Sequence, residues 1–127
     1  MHVIGLAAAA VAALIHAWFF VLESVWFMWP TVYRRFGIAS EADAKVVRSF
    51  AFNQGFYNLF LAAGVAIGIA LVALREPVGG EAILLFALGS MIGAGVVLFL
   101  HNPRYARAAA IQVIPPLIAV VAILTLP

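Results

Sequence analysis

Glu23 is a carboxylate set in an otherwise apolar run, with Phe19, Phe20, Val21 and Leu22 before it and Val25, Trp26 and Phe27 after it. A charged side chain at the centre of a membrane helix costs roughly 2.5–3.5 kcal/mol on insertion scales, so such groups are kept where they line a pathway or a site. His16 comes seven residues earlier, which puts both on one face of a helix, roughly 10 Å apart at 1.5 Å per residue. That is too far for contact, but the two could bracket a guest molecule or a water. A second stretch presents Asn53, Gln54, Tyr57 and Asn58, with Asn53 and Tyr57, and Gln54 and Asn58, each four apart on one wide stripe. Carboxamides donate and accept, which suits them to orient a polar group or fix a carboxyl proton. Gln112 stands at a similar depth in the last apolar stretch, and Trp26 offers an aromatic wall. The chemistry such a set can do is proton transfer. Glu23 and His16 are the candidate acid/base pair, and Asn53, Gln54, Tyr57, Asn58, Gln112 and Trp26 the candidate ligand-binding residues. Plainer roles stand beside these: Glu23 reaching the headgroups, a lone His16 satisfied within a helix bundle, a carboxamide as interhelical glue.

The elements that must position these residues are membrane helices. In 127 residues, 67% hydrophobic and 9% charged, with a mean hydropathy of +1.16, a soluble body this small could not hide its apolar surface. Spanning a hydrocarbon core takes about 20 apolar residues per helix. The sequence predicts four helices over about 3–29, 41–74, 82–101 and 103–126, an all-α four-helix transmembrane bundle forming a single domain over 1–127. Residues 3–29 are expected to be retained as a helix: they lack a basic start, and their apolar run outlasts a signal peptide. Ser40 followed by Glu41 and Asp43 has the look of a capping box, so the second helix should begin in the loop and carry Lys45 and Arg48 at headgroup depth. Arg75, Glu76, Pro77, Gly79 and Gly80 read as a turn, Asn102-Pro103 as a stop followed by a start, and Pro115-Pro116 as a bend within the last helix.

Charge sets an orientation. Arg34, Arg35, Lys45, Arg48, Arg104 and Arg107 flank two connections, and Arg75 stands alone at the third. By the positive-inside rule the two basic connections are cytoplasmic and both termini extracytoplasmic. The net charge of +2 then serves anionic headgroups rather than nucleic acid. With no cysteine, disulfides and thiolate metal sites are excluded. His16, Glu23 and His101 are too few for a metal or haem site, and no Glu-x-x-His pair of the di-iron type is present, so no cofactor is expected. Gly64 and Gly68, and Gly89 and Gly93, recur at helix spacing. They suit tight packing within the bundle or a homo-oligomer seam.

His16, Glu23, Trp26, Phe36-Gly37, Asn53-Gln54-Gly55 with Tyr57-Asn58, Leu61-Ala62-Ala63-Gly64, Gly93-Ala94-Gly95, and Gln112 with Pro115 fall in one order along the chain. That order resembles a family of small bacterial inner-membrane proteins, domain of unknown function 1304, whose hallmark is an Asn-Gln-Gly-aromatic-Tyr-Asn core. The likeness covers nearly the whole chain. Phe56 departs from the small aliphatic residue expected there, and the stretch from Trp29 to Arg35 is longer. The resemblance implies four helices and a multi-pass place in the bacterial inner membrane, but no reaction.

Three function classes follow from the residues. One is an intramembrane polar site in the cytoplasmic half that binds a lipophilic small molecule by its polar end. As an enzyme it would be an isomerase- or hydrolase-like acid/base catalyst, reminiscent of membrane sterol isomerases by analogy of site alone. A second is a proton-coupled transporter resembling small multidrug exporters. Its purely apolar outer halves and its charge bias count against alternating access and dual insertion. The third, a membrane scaffold subunit, leaves Glu23 and three carboxamides without a role.

Overall fold

The computed structural model describes residues 3–126. Their regular structure is helical throughout. Helix α1 (Val3–Phe20) runs on into a π-helical turn (Val21–Val25). A short α2 (Pro30–Tyr33) and a 3₁₀ turn (Arg34–Phe36) lead to α3 (Glu41–Ala73). Then come α4 (Pro77–His101), a second 3₁₀ turn (Pro103–Tyr105) and α5 (Ala106–Thr125). Four segments, Val3–Val25, Glu41–Ala73, Pro77–His101 and Pro103–Thr125, are long and apolar enough to cross a membrane. The chain is a multi-pass membrane protein.

The first helix stops at Val25, not at residue 29. Pro30 accounts for Trp29: the residue before a proline is pushed to extended backbone, and Trp29 adopts φ −73°, ψ 132°. Pro30 then takes the first position of α2, where its missing N–H does no harm. Gly37, at φ 77°, closes this segment. Its N–H bonds the Arg34 carbonyl at 3.1 Å, and that of Ile38 bonds Tyr33 at 3.3 Å, the paired bonds of a Schellman cap. Ile38 packs beside Tyr33 in one apolar cluster, the contact that usually accompanies such a cap.

Helix α3 starts where its cap sits. The Asp43 N–H donates to Ser40 Oγ at 3.1 Å, and that hydroxyl donates to Asp43 Oδ2 at 2.6 Å. At its far end Arg75 N–H bonds Val72 O and Glu76 N–H bonds Leu71 O, a second Schellman cap. Here the left-handed position belongs to Arg75, at φ 65°. Helix α4 begins at Pro77, five residues before the expected start at 82. Gly79 and Gly80 therefore lie in its first turn rather than in a loop. Packing overrides their turn preference, because a Cβ on Gly80 would lie 2.8 Å from the Gly68 carbonyl, and one on Gly68 3.0 Å from that of Gly80. Asn102 Oδ1 accepts from the Arg104 N–H at 3.1 Å, capping the turn that opens into α5. Helix α5 continues through Pro115 and Pro116. Neither proline can donate to the Ile111 and Gln112 carbonyls one turn earlier.

Contacts divide the chain into two compact units, one taking in the chain up to Ile15 and from Leu61 onward, the other His16–Phe60. The first packs parts of α1, α3, α4 and α5 around Ala9, Ala12, Val65, Leu84, Leu88, Met91 and Ala119. Small residues dominate because helices in lipid gain by close approach rather than by leaving water. The second gathers Phe27, Tyr33 and Ala44 with Met28, Ile38, Val47 and Ala51. It ties the segment after the π turn to the opening turns of α3.

Candidate functional site

Within the unit His16–Phe60, two of the singled-out polar residues meet. Asn58 Nδ2 on α3 donates to Glu23 Oε2 at 2.7 Å. Glu23 is half-buried and Asn58 buried. Oε2 takes that bond.

Local backbone geometry brings Glu23 there. The Trp26 N–H reaches the Val21 carbonyl at 2.9 Å, an i→i+5 bond that widens the helix around Glu23. Such π turns are rare and frequent at functional sites. A second bond fixes the turn one residue on, where Ser24 Oγ donates to the Phe52 carbonyl at 2.8 Å. Between the two bonds lies Gly55, which is buried. A Cβ there would run into Ser24 Oγ and lie 3.1 Å from Glu23 Cβ. Glycine at 55 therefore lets α3 approach the π turn closely enough for both bonds. Ser24 and Gly55 escaped the reading of the sequence for chemistry, although one adjoins Glu23 and the other sits inside the carboxamide run.

Aromatic rings border this arrangement. Phe56, the departure from the small residue expected there, is edge-on to Phe20 at 5.0 Å and tilted against Phe52 at 5.0 Å. Trp26 stacks on Trp29 at 4.9 Å and takes Trp18 edge-on at 5.4 Å. Its indole is thus part of a three-tryptophan patch, consistent with an interfacial anchor.

The remaining candidates are placed differently. His16 is fully buried, its ring edge-on to Phe19 at 5.3 Å. Asn53, Gln54 and Tyr57 are exposed on α3. α3 is 33 residues long, about 50 Å at 1.5 Å per residue against about 30 Å of hydrocarbon. Counting back about 20 residues from Ala73, one hydrocarbon thickness, reaches Gln54. Gln112 belongs to the other unit, half-buried on α5, with its Cγ 3.4 Å from where a Cβ on Gly95 would lie. Gly64 and Gly68 pack against α4, on Ala87 and on Leu84 with Gly80, whereas Gly89 and Gly93 face open space.

No curated protein matches the chain. No solved structure matches it either. A family model described as a protein of unknown function, DUF1304, matches residues 10–124, and the chain belongs to that family.

Proposed function

We propose that the Glu23–Asn58 pair receives the polar end of a lipophilic small molecule within the membrane, in the half nearer the two basic connections. The observation that carries this reading is the 2.7 Å bond between a carboxyl and a carboxamide, presented by two segments long and apolar enough to cross the bilayer. A carboxyl serving only to hold helices together is an expensive way to gain one hydrogen bond, since intramembrane pairs contribute about 0.6 kcal/mol on average. The pair still offers a carboxyl oxygen, an amide N–H and an amide carbonyl. Together these donate and accept, which fits a hydroxyl, a carboxylic acid or an amide on the guest. Phe20 and Phe56 supply apolar surface nearby for its body. If the guest reacts, the carboxyl of Glu23 gives or takes the proton.

Native mass spectrometry of gently purified protein tests this. Wild type should carry a hydrophobic small molecule that Glu23→Gln loses, while the variant inserts and melts like wild type. Full retention by Glu23→Gln would sink the proposal.

A further inference from the structure

We propose that one face of α3 is a docking site for an anionic phospholipid, with its phosphate at Lys45 and Arg48 and its acyl chain along Phe52, Phe56 and Phe60. This site uses neither polar group of the Glu23–Asn58 pair, although Phe56 borders both. Lys45, Arg48, Ser49 and Phe52 fall at i, i+3, i+4 and i+7 and line one open depression. Two cations and a hydroxyl there offer the donors that a phosphate monoanion takes, with Arg48 able to grip two oxygens at once. From Phe52 the same face continues as a ladder of rings. Phe52 and Phe56 have centroids 5.0 Å apart, and Phe56 and Phe60 6.2 Å. Phe52 is 51% exposed and Phe60 63%, so the ladder is open to the bilayer.

Depth matches the occupant. Lys45, Arg48 and Ser49 precede the point, near Gln54, where α3 leaves the hydrocarbon. Phe56 and Phe60 follow it. From Lys45 to Phe60 is about 22 Å along the helix, close to half of a bilayer that measures about 40–45 Å with its headgroups. A free phosphate would use only the basic end, whereas a phospholipid uses the whole face. Glu41 competes for Lys45, pairing with it at 2.7 Å. Both side chains are exposed, so this bond is weak and yields to a phosphate.

The experiment places the full chain in phosphatidylcholine nanodiscs doped with phosphatidylglycerol and reads, by native mass spectrometry, how far the protein enriches the anionic lipid. Each cation removed should lower enrichment roughly fivefold, the change that about 1 kcal/mol per basic residue near an anionic surface produces. Lys45→Ala with Arg48→Ala should therefore abolish most of it, while Arg104→Ala with Arg107→Ala and Glu23→Gln leave it unchanged. Phe60→Ala should weaken retention, and Glu41→Gln should strengthen it by releasing Lys45. Equal losses from the two double variants would reduce the effect to general basic charge and overturn the site. Displacement of the lipid by inorganic phosphate, with Phe60→Ala silent, would assign the depression to a soluble anion and overturn the lipid.

Discussion

At the scale of single residues, the polar contact across α3 depends on a residue with no side chain. Gly55 lets the π turn approach α3, Ser24 anchors it, and Asn58 meets the carboxyl one turn further on. Gly55→Ala should lower stability in detergent by about 1–3 kcal/mol, the range for overpacking a close contact. Gly89→Ala, where the added methyl meets open space, should be neutral or stabilising by up to about 1 kcal/mol, since it removes a helix glycine. Thermal unfolding of the two variants side by side checks the contrast, and equal shifts would contradict it. Glu23 and Asn58 were both legible in the sequence as polar residues in apolar company. What joined them was not, because Ser24 and Gly55 look ordinary until the helices are placed. Position 56 shows the same limit: its ring reads as a departure in the sequence, yet it bridges Phe20 and Phe52.

At the scale of elements, the four long apolar stretches were plain from composition, and so were the caps at Ser40 and Asn102. Their ends were less so. Trp26, Trp29 and Pro30 read as the tail of a helix, yet the run ends in a π turn at Val25 and a new short helix starts at Pro30, with Trp29 extended before the proline. Gly79 and Gly80 read as a turn, but the partner that keeps Gly80 helical, Gly68, lies on another helix. The true turn centres on Arg75, in the left-handed region. Only a glycine occupies that conformation without steric strain, so Arg75→Gly should raise stability by up to about 1 kcal/mol. A fall in melting temperature on that change would show that the guanidinium has a stabilising contact of its own.

At the scale of the molecule, α3 is the longest helix among the described residues. Its 33 residues exceed the roughly 20 that a hydrocarbon core requires by more than a dozen, and our proposals set Lys45 and Arg48 among headgroups and the Glu23–Asn58 pair about one turn inside. That α3 begins at Glu41 and carries Lys45 and Arg48 in its opening turns was legible from the sequence. Which carboxamide faces inward is a matter of helix rotation, and a run as evenly apolar as α3 does not encode its rotation in hydrophobic periodicity. Asn58 turned in, and Asn53 and Gln54 turned out. The central claim, that a carboxyl and a carboxamide jointly hold one guest, is tested most directly by a double-mutant cycle on the co-purified molecule, comparing Glu23→Gln, Asn58→Leu and the two combined. Acting as a unit, the pair should lose the guest in either single variant, and the double should lose little more. Losses that simply add, or a guest retained by all three, would contradict it.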